Sequence, residues 1–308
     1  MSKSVFLSLL QRAWRPTVKT TLWLLKIMLP VSLAMVLLQY SGFIGWLSGH
    51  LDVVFRFLGL PTASAFAFVT GAFVGTYGGL AAMLALPLTL REATIVTLMI
   101  LICHSLPMEC AVMRKTGSSF MRMAVLRVVA AFVVAACLNL LLPESDAPFS
   151  TGVAQQDAQP LGVVLLDWCW SSLKMSAMVL AIIYGLMVVQ RAMEQYGVID
   201  YLVKPLAPLM AIFGLPRGAA YLWLTANVLG VSYGSAVMMD LQEQGAFTPA
   251  EGNEVNYHLA MNHSMIEDTL LFAAYGISAW WIIGTRVGFA LISVWTRRAY
   301  RAVFKHAQ

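Results

Sequence analysis

A chain of 308 residues that is 59% hydrophobic and only 11% charged carries less than half the roughly 25% charge of an ordinary soluble domain, which excludes a fold solvated mainly by water. Its formal net charge of +5 does not mark a nucleic-acid binder, because Lys and Arg cluster at the ends of apolar segments, where membrane topology accounts for them. Cys103, Cys110, Cys137 and Cys169 lie in apolar surroundings without CxxC spacing, so neither a disulfide framework nor a structural zinc module is indicated, and Cys137 and Cys169 read as small core residues.

In chain order, a basic segment, 1–19, with Lys3, Arg12, Arg15 and Lys19, precedes an apolar run from Leu22 to Leu38, close to the roughly 20 residues that cross hydrocarbon. No small-residue cleavage pattern follows Tyr40, so this run reads as a mature helix and not a signal peptide. Ile44 to Leu58 mixes Trp46, His50, Asp52 and Arg56 with apolar residues and is expected to lie along the interface. The next apolar stretch is interrupted by Gly71, Gly75, Gly78 and Gly79, glycines that fit either a broken helix or a close-packed small-residue face. A second interrupted stretch carries His104, Ser105 and Glu109, with Pro107 between them placed to break the helix and free backbone carbonyls. A closing run from Val128 to Leu142 leads into a linker, 144–160, that has Glu144, Asp146 and Asp157 but no Lys or Arg.

The second half follows the same order. An apolar run from Met175 to Val189 is followed by an amphipathic segment, Ile199 to Phe213, with Lys204 and two prolines, then by a stretch broken at Gly230 and Gly234 and one carrying His263 and Ser264. Gln39-Tyr40-Ser41-Gly42 resembles Gln195-Tyr196-Gly197, and Gly59-Leu60-Pro61 recurs as Gly214-Leu215-Pro216. Thr76-Tyr77-Gly78-Gly79 recurs as Ser232-Tyr233-Gly234-Ser235, and His104-Ser105 with Glu109 recurs as His263-Ser264 with Asp268. Four matches in one order mark two copies of one unit.

Loop charges orient the copies. The amino terminus, then Arg114, Lys115, Arg122 and Arg127, then Arg191, Lys204 and Arg217, and finally the tail with Arg297, Arg298, Arg301 and Lys305 read as cytoplasmic, because Lys and Arg are enriched on that side. The linker and the uncharged region from Tyr275 to Trp281 read as outside. Passing from inside to outside across four hydrophobic stretches requires one of them not to cross, so the two interrupted stretches of each copy together cross once, as a re-entrant hairpin plus a helix or as two half-helices. The expected fold is an all-α integral membrane protein of two inverted repeats, each with about three net crossings, a re-entrant or broken helix and an interfacial amphipathic helix. The repeats span 20–143 and 161–299, flanked by the segment 1–19 and a cytoplasmic tail, 300–308. A bacterial inner membrane with both termini cytoplasmic is the expected location.

Ionisable groups inside a membrane mark candidate sites, because each costs about 2.5 to 3.5 kcal/mol to insert. The residues costly in hydrocarbon are His104 and Glu109 in the first copy and His258, His263, Glu267, Asp268 and the polar Asn262 in the second. On a continuous helix His263 and Glu267 would share a face, as would His258 and Asn262; Asp268 is alternatively placed near the outer surface. Imidazole, carboxylate and the sulfur of Cys103, Cys110, Met108 and Met265 suit a divalent transition metal, with His104, Glu109, Cys110, His263 and Glu267 as ligand candidates. The same groups equally suit a polar organic solute, a proton relay, or a pair that satisfies itself at the repeat interface. Tyr77 and Tyr233 fit either a cavity lining or a packing role. Lys26, Lys174 and Arg286 fall near helix interiors, where snorkelling explains most such residues. With no GxxxxGK[ST], HExxH or GxSxG motif, no enzyme chemistry is indicated.

The repeated Gly-Leu-Pro turn, the Tyr-Gly element and the His-Ser element with its acid resemble the Gate, or nucleoside recognition, domain over about residues 20 to 140 and 170 to 300. That domain occurs in the membrane region of FeoB-type ferrous iron transporters, in relatives of concentrative nucleoside transporters and in spore-maturation membrane proteins. The resemblance implies an inverted-repeat bundle with a central gated site. The iron transporters carry a GTPase domain for which the segment before the first apolar run leaves no room, so transport is expected to be passive, ion-coupled or dependent on a partner. No residue set specific for a nucleoside is evident. The expected function is a transporter or permease for a small polar or ionic solute, with a divalent metal ion favoured as cargo and no resident cofactor. A nucleoside-like solute carrier and a non-transporting membrane scaffold or assembly factor are the alternatives. Expected partners are the lipid bilayer and the solute, with a second copy or another membrane protein as further candidates.

Overall fold

In a computed structural model, which describes residues 3–42, 53–84, 86–149, 160–196 and 198–305, the chain is all-α. Its helices are α1 (Lys3–Tyr40), α2 (Ser64–Val74), α3 (Thr76–Leu84), α4 (Leu90–Cys103), α5 (Leu106–Lys115) and α6 (Phe120–Leu141). They continue as α7 (Leu161–Gln195), α8 (Val198–Ile212), α9 (Ala220–Leu229), α10 (Val231–Glu243), α11 (Pro249–Leu259), α12 (Met265–Ala273) and α13 (Ala279–Lys305). Among the described residues no strand forms, and Thr89 and Pro148 make an isolated antiparallel bridge. The stretches Leu90–Lys115, Phe120–Leu141 and Ala279–Val303 are long and apolar enough to cross a membrane.

The chain divides into two compact units. Met1–Trp46 with Ala154–Leu202 forms the first, in which α1 and α7, 38 and 35 residues long, pack along each other. There the Trp14 and Tyr184 rings meet edge-on at 5.7 Å, and the Tyr184 hydroxyl donates to the Leu10 carbonyl at 3.2 Å. Cys169 is exposed on α7 and not a core residue. Lys26 is exposed on α1.

The second unit, Leu47–Val153 with Val203–Gln308, builds the same supersecondary structure twice. Helices α2 and α3 fold back on each other at Gly75, whose φ of 107° needs a residue without a Cβ. A Cβ on Gly79 would stand 3.0 Å from the Gly71 Cα, so glycine serves both purposes, the break at Gly75 and the close approach at Gly71 and Gly79. Helices α9 and α10 repeat this at Gly230, φ 93°, with Gly234 against Ala226. Each arm of the first hairpin is ~16 Å or shorter at 1.5 Å per residue, about half a hydrocarbon core.

After each hairpin comes a helix with one break. Thr89 and Glu92 form a capping box that starts α4, and Thr248 and Glu251 form the same box at α11. The breaks fall at Ser105 and Ser264, the two non-glycine residues with positive φ among those described, at 46° and 50°. A left-handed residue costs roughly 1–2 kcal/mol, and here each break is held by its hairpin. Ser105 N–H donates to the Gly71 carbonyl at 3.1 Å, and Ser264 N–H to the Ala226 carbonyl at 3.0 Å. Pro107 does not break the helix as the sequence implied. It lies in the first turn of α5, where no intrahelical N–H partner is lost.

The interfacial segment predicted over Ile44 to Leu58 is described only at its end, where 53–57 is helical; Trp46, His50 and Asp52 lie outside the described residues. The segment predicted over Ile199 to Phe213 is α8, with Pro205 and Pro208 inside it. Phe55, Phe68 and Phe132 pack with centroids 5.5 to 6.4 Å apart. Phe213, Trp223 and His258 form the second aromatic cluster, in which Trp223 Nε1–H donates to His258 Nδ1 at 3.3 Å; His258 is thus a core residue away from the breaks.

The two ends of this unit differ. At one, a Cβ on Gly117 would stand 2.2 Å from the Pro249 carbonyl oxygen and one on Gly252 2.3 Å from the Thr116 oxygen. Asn256 Nδ2 there reaches the Met113 carbonyl, Thr116 Oγ1 and Ser118 Oγ at 2.9 to 3.1 Å, and Ser118 donates to Asn253 Oδ1 at 2.8 Å. At the other end, the space beside Gly276 is looser, with the Leu90 side chain 3.9 Å from where a Cβ would be. Leu90 N–H donates to the Ala147 carbonyl at 2.7 Å, which seats the start of the linker on that end. Of that linker, 150–159 lies outside the described residues.

Candidate functional site

The two breaks bring His104 and His263, 159 residues apart in sequence, to 4.9 Å between ring centroids. Both rings point the same nitrogen at backbone: His104 Nδ1 lies 3.0 Å from the Leu101 carbonyl and His263 Nδ1 2.6 Å from the Leu259 carbonyl. A carbonyl only accepts, so each Nδ1 carries a proton, and in the neutral ring the Nε2 turned inward is an unprotonated lone-pair donor. The two Nε2 atoms are 3.2 Å apart. Glu109, from the first turn of α5, completes the group: its Oε1 is 3.1 Å from His104 Nε2 and its Oε2 is 3.2 Å from His263 Nε2.

Three lone-pair donors thus face one another at short range, and the group is closed to solvent, with His104 5%, Glu109 4% and His263 0% exposed. Arg127 balances the Glu109 charge, and the two imidazole lone pairs left facing the carboxylate are a set that a shared proton or a metal cation would satisfy. Two metal bonds of 2.0–2.1 Å at a tetrahedral angle place their ligand atoms about 3.3 Å apart, close to the 3.1–3.2 Å edges found here. Three protein ligands also leave a position open, which a structural zinc site does not.

Arg127 on α6 and Arg286 on α13 stitch the breaks, each fully buried. Arg127 donates from Nε to the Ile102 carbonyl at 2.7 Å and from Nη2 to the His104 carbonyl at 3.0 Å, and stands 2.8 Å from Glu109 Oε2. Arg286 repeats the pattern with the Met261 carbonyl at 3.1 Å, the His263 carbonyl, and Asp268 at 2.9 Å. Arg127 is therefore no cytoplasmic loop charge, and Arg286 does not snorkel. A helix interrupted by a left-handed residue exposes carbonyls that need donors, and a guanidinium supplies several in one plane. Each arginine follows its histidine by 23 positions, a spacing in the sequence that would have revealed both.

The other predicted residues separate. Asp268 is buried with Arg286 and is not at a surface; one methylene shorter than Glu109, it stays with its own arginine. The break at Ser264 ends the continuous-helix reading of His263 and Glu267. Glu267 instead accepts the Tyr77 hydroxyl at 2.9 Å, a bond across copies. Cys110 sits beside Arg127 and, like Glu267, outside the group of possible ligand atoms, which among the described residues is His104, Glu109 and His263. Asn262, next to His263, is fully buried, and neither amide atom has a hydrogen-bond partner among the described residues. The Tyr233 side chain lies outside the described residues.

This constellation sits on a pair of broken helices, with the first copy contributing His104, Glu109 and Arg127. Residues 21–120 match the Gate family, described as nucleoside recognition. The Gate match therefore contains His104 and Glu109 and stops short of Arg127. The chain is also similar to the uncharacterized membrane protein YvoD of Bacillus subtilis (strain 168), with 27% identity over 295 residues, covering 94% of this chain and 93% of the relative. No solved structure matches it. With its long apolar helices and these two likenesses, the chain is an α-helical membrane protein in which residues 21–120 are similar to the Gate domain.

Proposed function

We propose that this chain is a transporter or permease for a small ionic solute, with a divalent metal ion as substrate, bound by His104, Glu109 and His263. The convergence of two Nδ1-locked histidines on one carboxylate carries this reading. The unsatisfied amide of Asn262 next to His263 offers a further polar contact to a hydrated cation. The Gate family's description as nucleoside recognition favours a nucleoside-like solute as the second reading. Neither reading calls for catalysis, a resident cofactor or nucleic acid.

The proposed setting is a bacterial inner membrane with both termini cytoplasmic and two inverted repeats around the site. In support, Ala147 and Gly276, from the two regions read as outside, both meet Leu90 at one end of the second unit, and Thr116, next to Lys115 that reads as cytoplasmic, lies with Pro249 at the other. Cysteines placed at Ser150 and Lys115, with Cys137 and Cys169 changed to serine, test this: an impermeant thiol reagent applied from outside should label the first and spare the second. The reverse pattern, or equal labelling, overturns the inverted topology.

For the substrate, purified protein in liposomes should show saturable uptake of at least one of ferrous iron, manganese and zinc. His104→Ala and His263→Ala should each reduce it by roughly 10- to 100-fold or more, the range already seen when only a ligand's supporting partner is lost. Uptake of a nucleoside alone would reassign the site to an organic solute. No uptake by folded wild-type protein would replace transport with a scaffold or assembly role.

A further inference from the structure

Between α6 and α13, the closing helices of the two copies, runs a groove of about 750 Å³. Its walls are apolar, with Leu126, Val129 and Val133 on one side and Phe289 and Ile292 on the other. Arg122, Arg297 and Arg301 gather at one end. A second trough of about 410 Å³, lined also by Met121 and Val125, joins it along Arg122, Leu126, Val129 and Tyr257.

The charge at that end is largely uncompensated. Arg301 pairs with Glu254 at 2.7 Å. Arg297 lies over the Tyr257 ring at 4.2 Å with its Nε buried and unbonded, and neither Arg122 nor Arg297 has a carboxylate partner among the described residues. From Arg122 to Val133 the groove covers ~17 Å of helix at 1.5 Å per residue, close to the ~15 Å depth of one leaflet's hydrocarbon. An apolar trough one leaflet deep, doubled at its mouth and headed by two unpaired guanidiniums, has the dimensions and charge of a two-chained lipid with an anionic head.

The geometry points to a binding site for an acidic phospholipid, with its phosphate at Arg122 and Arg297 and its acyl chains along α6 and α13. Basic pockets between membrane helices on the cytoplasmic side hold such headgroups, and a guanidinium fork matches a phosphate. The site is separate from the histidine cluster but touches it through chain continuity: Met261 lines the groove, and its carbonyl takes the Nε bond of Arg286. Leu126 of the groove precedes Arg127.

The test is native mass spectrometry of the full-length protein released from detergent, with phosphatidylglycerol and phosphatidylcholine supplied together. Wild type should retain phosphatidylglycerol about tenfold in preference, and Arg122→Gln/Arg297→Gln, which leaves the Arg301–Glu254 pair intact, should lose that preference while melting within a few degrees of wild type. Equal retention of both lipids by wild type overturns the site, as does an unchanged preference in the double variant. Should the double variant misfold, Val129→Trp, which fills the trough without touching charge, should also displace phosphatidylglycerol; retention overturns the site. Displacement of the lipid by millimolar inorganic phosphate would make this a free-anion site and overturn the lipid assignment.

Discussion

Glu109→Gln is expected to destabilise the folded protein by about 3–5 kcal/mol, the usual cost of leaving a buried charge without its partner, and to abolish cation binding. The substitution keeps the size of the side chain and removes the charge that faces Arg127 at 2.8 Å and both histidines at 3.1 to 3.2 Å. Thermal unfolding in detergent reads the first effect, and metal titration the second. Adding Arg127→Met to Glu109→Gln removes the stranded cation but also the donors to the Ile102 and His104 carbonyls, so stability should return only in part while binding stays lost. Recovery of both together would mean that Glu109 matters only as the partner of Arg127 and would remove it from the site. The matched change Asp268→Asn should destabilise through Arg286 to a similar degree but leave binding by the folded fraction intact, because Asp268 meets Arg286 and not the imidazoles.

The second large effect is expected at the end of the bundle. Gly117 and Gly276 have φ values of 109° and 92°, so alanine strains both by a comparable roughly 1–2 kcal/mol. They differ in what an added methyl group meets: the Pro249 carbonyl oxygen at 2.2 Å for Gly117, against Leu90 Cδ1 at 3.9 Å for Gly276. A backbone oxygen cannot swing aside as a side chain can. Gly117→Ala should therefore cost on the order of 1–3 kcal/mol more than Gly276→Ala and pry apart the contacts Asn256 makes with Met113, Thr116 and Ser118. Melting temperatures compare the two variants directly; equal losses would show that the Thr116–Ser118 end has slack the structure does not display.

Much of the architecture was legible because it is written in solvent preference and repetition. The long apolar runs, the glycine interruptions and the recurrence of His-Ser with an acid identified the elements that hold the site. Register and partners were not so accessible. Tyr77 was aligned with Tyr233, whereas the backbone sets Gly75 against Gly230, where Gly79 N–H bonds Gly75 and Gly234 N–H bonds Gly230, so Tyr77 corresponds to Ser232. Composition alone cannot distinguish a one-residue slip between two small-residue stretches. Arg127 was hidden for another reason: loop-charge counting treats every arginine near a helix end as an orientation signal, and a buried one that satisfies broken-helix carbonyls has the same one-letter code. The continuous-helix pairing of His263 with Glu267 failed because a serine at positive φ breaks the helix without glycine or proline to announce it. The hairpin contact from Ser264 to Ala226 and the Arg286 bonds to the Met261 and His263 carbonyls make that conformation tenable.

Arg127 shares a carboxylate oxygen with His263: Glu109 Oε2 lies 2.8 Å from the guanidinium and 3.2 Å from the imidazole. A metal docking on Glu109 would meet a carboxylate whose Oε2 is already held by a tethered positive charge, with Oε1 the freer ligand atom, and when the site is empty the same charge neutralises the carboxylate. The vacant site is consequently an internal salt and not a naked anion, whose transfer out of water would cost several kcal/mol. On the proposed reading, loading would set a second cation beside a fixed guanidinium, so the empty state is electrostatically settled and a bound cation is held against a standing repulsion, which favours release over tight capture.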